Sequence, residues 1–422
     1  MSQATLENHL PMASDGKTFD PKAIREEFPV LEQRENGRPL VYLDSAASSQ
    51  KPRAVIDAVH EFYSTEYASV HRGVYALSEA STQRFEEVRK KVCRLLGTVE
   101  PREVVFTKGT TESINLVAQS FGRSHIHAGD EILITHLEHH SNIVPWQLLC
   151  EQVGATLKVV PIDSRGVVDR EAFESLLSDR TRLVALAHVS NALGTILPVA
   201  ELCALARAKG AVTLVDGAQA VPHMPVDIPS LGCDFYAFSG HKLFAPTGTG
   251  VLWGRLEQLE SMPPYQGGGS MIQSVRFEGT TFADPPQRFE AGTPDIAGVI
   301  GLGAALDWLD SIDLFAAARY EDELLAYGTK ALEAIAGLRL IGSAPEKAAI
   351  LSFVLDAAHP HDMATIFDQH GVAIRAGHHC AQPVMEFFGV PATARASLAF
   401  YNNREDLDAL VFAIDATREL FS

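Results

Sequence analysis

Cysteine is scarce and scattered: the 422 residues hold five, at Cys93, Cys150, Cys203, Cys233 and Cys380, with no C-x-x-C pair. An odd, dispersed set argues against a disulfide framework and a cysteine-rich zinc site, and fits a reducing compartment. Positive charge is also short, with 35 Lys and Arg against 53 Asp and Glu and a formal net charge of −18. No basic run supplies the clustered cations that a nucleic-acid backbone requires. No apolar stretch reaches the length of a membrane span, and Met1 to Lys17 lack the apolar core of a secretory signal. The sequence thus predicts a cytoplasmic protein with no nucleic-acid or membrane partner, carrying a mobile N-terminal tail over residues 1–20.

What is present is the material of a large layered enzyme, 46% hydrophobic and 21% charged. From Glu103 to Gly254 short β-branched runs alternate with helix-like segments, which predicts a mostly parallel sheet wrapped by helices. The expected strands are Val104–Phe106, Glu131–Ile134, Thr156–Val160, Leu183–Ala187, Val212–Val215, Asp234–Phe238 and Gly250–Trp253. Several end in a polar residue or turn, at Thr107, His188, Asp216 and Ser239, where open α/β sheets gather ligands. After the Pro/Gly-rich stretch from Met262 to Pro294 one long helix is expected from Ile296 to about Ala336. Strands at Leu338–Leu340 and Ile350–Leu355, a helix near Asp362–Gln369, strands at Val372–Arg375 and Ser397–Phe400, and a closing helix from Arg404 follow. That order predicts a smaller α+β domain. The expected division is residues 46–295 for the large domain, with 21–45 and 296–422 for the small one.

The chemistry-bearing residues stand at the strand ends. Asp216 closes an apolar strand and is followed by Gly217-Ala218-Gln219, and Lys242 ends the Ser239-Gly240-His241-Lys242 turn after another strand. A carboxylate and a lysine so placed suit pyridoxal phosphate: the lysine forms a Schiff base, and the carboxylate keeps the ring nitrogen protonated. Alone, the pair is as readily two surface residues that never meet. Lys108-Gly109-Thr110-Thr111-Glu112 lies between a strand and an amphipathic run, where a helix N-terminus can hold a phosphate, although an ordinary helix cap uses the same residues. Glu138-His139-His140 follows the next strand, placing an imidazole at the same edge. Cys380 ends a Gly-His-His-Cys turn, while the other four thiols sit in apolar segments typical of inert, buried cysteine. No ligand set is spaced for a metal around Cys380.

Ten ordered stretches resemble one family: Leu43-Asp44-Ser45-Ala46-Ala47, His71-Arg72-Gly73, Gly109-Thr110-Thr111-Glu112, Glu138-His139-His140, His188-Val189-Ser190-Asn191, Asp216-Gly217-Ala218-Gln219, Ser239-Gly240-His241-Lys242, Gly267-Gly268-Gly269-Ser270-Met271-Ile272, Arg288-Phe289-Glu290-Ala291-Gly292-Thr293-Pro294 and Arg375-Ala376-Gly377-His378-His379-Cys380. From about Pro21 onward the chain resembles the class V, fold-type-I pyridoxal-phosphate enzymes, and among them the SufS-type (group II) cysteine desulfurases, with selenocysteine lyases close by. The resemblance implies an aspartate aminotransferase-like α/β fold and conversion of L-cysteine, or L-selenocysteine, to L-alanine. The sulfur passes to an enzyme persulfide and on to iron–sulfur cluster assembly. It implies Lys242 as the Schiff-base lysine, Asp216 on the ring nitrogen, Gln219 on the ring hydroxyl and His139 stacked on the ring. Thr111, Ser239 and His241 would hold the phosphate, with Thr293 reaching in from the other subunit of a homodimer. Asn191, Arg375 and Arg395 would bind substrate, and Cys380 would receive the sulfur. The acceptor would be of SufE or SufU type; for a zinc-bearing SufU-type partner the resemblance points to His361, in His359-Pro360-His361-Asp362, although the stretch also reads as a helix start. The rivals are another reaction on the same scaffold, selenocysteine cleavage or transamination, and a catalytically silent relative.

Overall fold

The computed structural model describes residues 19–421, so the expected tail, apart from Phe19 and Asp20, lies outside the described residues. At the centre lie seven strands: β1 (Val104–Thr107), β2 (Glu131–Thr135), β3 (Thr156–Val160), β4 (Thr181–Ala187), β5 (Val212–Asp216), β6 (Phe235–Ser239) and β7 (Gly250–Gly254). Their order across the sheet is β1-β7-β6-β5-β4-β2-β3. All neighbours are parallel except β7, which runs antiparallel to both β1 and β6. Both faces are covered, so Ile132-Leu133-Ile134 and Leu183 to Leu186 are buried throughout, the near-continuous apolar pattern of a sheet sandwiched by helices. In register, Ala187 lies beside Asp216 and Asp216 beside Ala237, which brings the carboxyl ends of β4, β5 and β6 to one edge.

The helices that matter here are α1 (Arg53–Glu61), α2 (Ala76–Leu95), α3 (Thr110–Val117), α4 (Ile296–Asp310) and α5 (Leu314–Glu333). The single long helix expected from Ile296 to about Ala336 is thus two. The break falls at Ser311-Ile312-Asp313, where the Asp313 carboxylate accepts the N–H groups of Phe315 and Ala316 at 3.1 and 3.0 Å and caps α5. Because α4 is buried on nearly all sides, it has no polar face to mark its end. It packs on α1 and α2 of the large domain, and the chain crosses to the second sheet only after it.

That sheet contains β8 (Leu338–Ile341), β9 (Ile350–Leu355), β10 (Arg375–Gly377) and β11 (Thr393–Ser397), antiparallel in the order β8-β9-β11-β10. Helices α5, α6 (Pro360–Gln369) and α7 (Arg404–Phe421) pack around it. The strand expected at Ser397–Phe400 is displaced to Thr393–Ser397. Leu398 to Phe400 are apolar because they enter the core, Phe400 stacking on Trp308, and not because they pair in a sheet. The strand expected over Val372–Arg375 also divides. Val372-Ala373 pairs in parallel with Val41-Tyr42, and Arg375 begins β10. The first pairing carries the N-terminal segment onto the small domain and sets Asp44 beside Ser397. Among the described residues no helix is long and apolar enough to cross a membrane.

Candidate active site

A cavity of about 260 Å³ opens where the carboxyl ends of β4, β5 and β6 meet the small domain. It is lined by Thr111, His139, Asn191, Asp216, Gln219, Ser239, His241, Lys242, Arg375, Cys380 and Arg395, so all the site residues expected from the sequence converge here but one. The exception is Thr293, which lines a separate cavity of about 220 Å³ with Lys108 and Glu112.

Asp216 is locked at the end of β5. Its Oδ1 accepts the Ala218 N–H at 3.0 Å, and its carbonyl accepts the His188 N–H at 2.8 Å. Gly217 rests on the Tyr236 ring; a Cβ there would lie 2.1 Å from the ring, so no other residue lets the backbone approach so closely. The Tyr236 hydroxyl in turn pairs with His188 Nδ1 at 3.0 Å. Full burial raises the Asp216 carboxyl above its ordinary range, opposed by the Ala218 N–H and by Lys242. Burial draws the Lys242 amine down to about 8, against the pull of Asp216. Neutral lysine is the nucleophilic form that a Schiff base requires.

One end of the cavity is built by the end of β6 and the start of α3. The Thr110 N–H and hydroxyl lie 2.9 and 2.8 Å from Ser239 Oγ, which joins the start of α3 to the end of β6. The turn at Gly109 fits only because Gly250 of β7 faces it, since a Cβ on Gly250 would meet the Gly109 Cα at 2.3 Å. Thr111 is the second residue of α3, and the capping position before the helix is Gly109, which has no side chain to bond the first-turn N–H groups and so leaves those beyond Thr110 for an anion. His241 is lowered to about 4, chiefly by burial, and its Nδ1 lies 3.3 Å from Ser48 Oγ.

His139 sits at the start of a short 3-10 turn, its Nδ1 held by Ser141 Oγ at 2.8 Å and Ser141 N at 3.0 Å. Burial foremost, then Lys242, lowers it to about 3, so the ring is neutral. The turn is pinned by Glu138, a residue with no role in the sequence reading. Its buried carboxyl meets the Thr135 hydroxyl at 2.5 Å, the Asn142 amide at 2.6 Å and the Ala187 N–H at 3.0 Å, and burial raises it to about 7.

The residues present fit pyridoxal phosphate on physical grounds. Buried polar atoms without a partner are rare, yet Gln219 Oε1, Asn191 Oδ1, His379 Nδ1 and Arg395 Nε are all in that condition and all belong to residues lining this one cavity. Together they supply acceptors for a ring hydroxyl and donors for carboxylate oxygens. Asp216 offers a buried carboxylate for a ring N–H.

At the opposite wall stand Arg375, Arg395 and Cys380. Arg395 is buried, donating Nη1 to the Asn191 carbonyl at 2.9 Å and Nη2 to Asp44 at 3.3 Å. Arg375 donates to the same Asp44 at 3.0 to 3.2 Å. Cys380 is exposed, whereas Cys93, Cys150, Cys203 and Cys233 are buried, with their thiols raised by burial. His379 and Cys380 both have φ of +54°, consecutive left-handed positions that non-glycine residues seldom adopt. Anchors hold them there: Asn191 Nδ2 donates to the His379 carbonyl at 2.5 Å, and the His140 N–H donates to the Cys380 carbonyl at 2.7 Å. The His379 ring, lowered to about 3 chiefly by burial, bonds Thr393 Oγ1 at 2.8 Å.

Comparison with known proteins places the chain in a family. The model of the family described as aminotransferase class-V matches residues 41–410. A cysteine desulfurase of Cronobacter sakazakii (strain ATCC BAA-894) is 51% identical over 395 residues, 93% of this chain and 97% of that protein. Among solved structures, the cysteine desulfurase CsdA of Escherichia coli superposes with a TM-score of 0.90 at 42% identity, covering 96% of this chain and 100% of that one. The apo cysteine desulfurase of Thermococcus onnurineus NA1 reaches 0.90 at 39% identity, covering 97% and 99%. The chain belongs to the pyridoxal-phosphate-dependent cysteine desulfurases of the class V aminotransferase family.

Proposed function

We propose that this chain is a SufS-type (group II) desulfurase acting in the cytoplasm as a homodimer, which converts L-cysteine to L-alanine and stores the sulfur as a persulfide on Cys380 for iron–sulfur cluster assembly. The observation that carries this reading is the position of Cys380: it is the exposed thiol among five, and it lines the same cavity as Lys242.

Lys242 would hold the cofactor, with Asp216 and Gln219 on its ring, His139 against its face, and Thr111, Ser239 and His241 at its phosphate. When bound, pyridoxal phosphate supplies an electron sink for the substrate carbon. Arg395 and Asn191, which line the cavity, would orient the substrate, Arg395 offering its guanidinium to the carboxylate. The Lys242 amine, its basicity lowered by burial, takes the proton from the substrate Cα. The Cys380 thiolate then attacks the substrate sulfur. An S–S bond forms, the C–S bond breaks with its electron pair left on the carbon side, and that carbon, once protonated, leaves as alanine. Neutral His139 is placed to carry a proton at its free ring nitrogen.

Thr293, which does not line the cavity of its own chain, would complete the phosphate cradle of the partner subunit. The acceptor would be of SufE or SufU type. His361, exposed at the start of α6 and stacked on His359 at 5.4 Å, would be the group offered to a zinc-bearing acceptor. The test compares wild type with Cys380→Ala for alanine and sulfide formed from L-cysteine. Visible absorbance, bleached by borohydride, monitors the cofactor. Loss of sulfide release with absorbance retained supports the reading; full activity of Cys380→Ala contradicts it and favours a lyase that needs no attacking thiol.

A further inference from the structure

Arg375 and Arg395 stand directly opposite each other across the antiparallel pair β10 and β11. Like charges in that position repel, and the carboxylate set between them is Asp44. It receives Arg375 through Nε at 3.2 Å and Nη2 at 3.0 Å, and Arg395 through Nη2 at 3.3 Å. Asp44 reaches this point through its bridge with Ser397, so its backbone belongs to the seam of the small domain. It does not line the cavity, whereas both arginines do. Two guanidiniums and one carboxylate leave one net positive charge at this wall. The neighbouring His139 and His379 rings, lowered by burial, add none near neutral pH.

We propose that Asp44 is a specificity-determining residue: by neutralising one of two paired arginines it matches the site to an amino acid with a single carboxylate and disfavours one whose side chain bears a second. The inference rests on Arg375 and Arg395 forming the carboxylate site and adds to it the discrimination among amino acids. If Asp44 were absent, the two guanidiniums would present a doubly cationic fork, the arrangement suited to a dicarboxylate. Asp44 only needs to act at short range through the guanidiniums it touches, so its effect falls on charge selection and not on the volume of the cavity.

The test uses the holoenzyme, with sulfide release from L-cysteine measured against L-alanine or L-aspartate as competing ligand. In Asp44→Asn the inhibition constant for L-aspartate should fall relative to that for L-alanine by about tenfold, the scale of one added short-range charge contact. Asp44→Glu should keep the wild-type ratio, and Asp44→Asn/Arg375→Gln should return to it, because the net charge is restored. An unchanged ratio in an Asp44→Asn protein that retains its visible cofactor absorbance overturns the proposal. Should Asp44→Asn fail to fold or to take up cofactor, Asp44→Asn/Arg375→Gln is compared with Arg375→Gln. Loss of Asp44 in that background should tighten L-aspartate relative to L-alanine by about tenfold, and an equal ratio in the two overturns the proposal. An Arg395→Ala enzyme that binds L-alanine as tightly as wild type would instead fault the carboxylate-site reading on which the proposal stands.

Discussion

Lys242 and Asp216 follow or end central strands of the seven-stranded sheet, line the floor of the cavity, and owe their shifted protonation to burial first. Cys380 is exposed on a turn beside a three-residue strand, in a backbone conformation that costs a non-glycine residue about 1–3 kcal/mol. The difference follows from what each end must do. Proton abstraction beside the cofactor needs a dry, rigid site in which charges are not screened. Sulfur relay needs a nucleophile that meets the substrate on one side and an outside acceptor on the other, which a buried strand cannot provide. The turn is therefore strained yet tied, by Asn191, His140 and Thr393.

Substitutions at the two ends should separate these roles. Lys242→Ala should have the largest effect, lowering alanine formation on the order of 10⁴-fold and removing the absorbance that borohydride bleaches; an enzyme that kept its rate would refute the assignment. Cys380→Ala should lower sulfide release by roughly 10²–10³-fold while exchange of the substrate Cα proton with solvent deuterium continues. Loss of both in parallel would mean that the two ends are not separable. Thr393→Val removes the hydroxyl that holds the His379 ring without altering the cofactor end. Persulfide formation should slow by about threefold to tenfold, the worth of one buried hydrogen bond, with the visible spectrum unchanged.

The smallest effect concerns pH. Burial lowers His188 to about 4, below the ~6.5 of an unfolded chain. Between these values the unfolded chain binds more protons, so stability falls as pH falls through that window, and the loss is complete below about 4. Replacing His188 with Phe should flatten the dependence of denaturation midpoint on pH there, by up to about 1.4 kcal/mol per pH unit. An unchanged slope would show that His188 does not carry the cost.

The cofactor end was the more legible in sequence because its chemistry is written locally. An apolar strand followed by Asp216 or by Ser239 to Lys242 announces a sheet edge, and seven such strands lie within a residue or two of their expected positions. Asp44 had no such signal. It acquires its role from a parallel pairing between Val41-Tyr42 and Val372-Ala373, more than 300 positions apart in the chain. Glu138 carries no local signal beyond being the neighbour of His139, since its partners Thr135, Asn142 and Ala187 come from three elements. The β11 strand Thr393-Ala394-Arg395-Ala396-Ser397 lies upstream of its expected position because small residues and a buried arginine replace the usual β-branched run. The division of α4 from α5 is marked in the sequence by the Asp313 cap alone.

The most direct test of two ends working on one substrate is mass spectrometry of the holoenzyme after exposure to L-cysteine without reductant. One added sulfur located on Cys380, with alanine released in equal amount, is the expected result. Alanine formed while Cys380 remains an unmodified thiol, or sulfur found on a buried cysteine instead, would contradict the account.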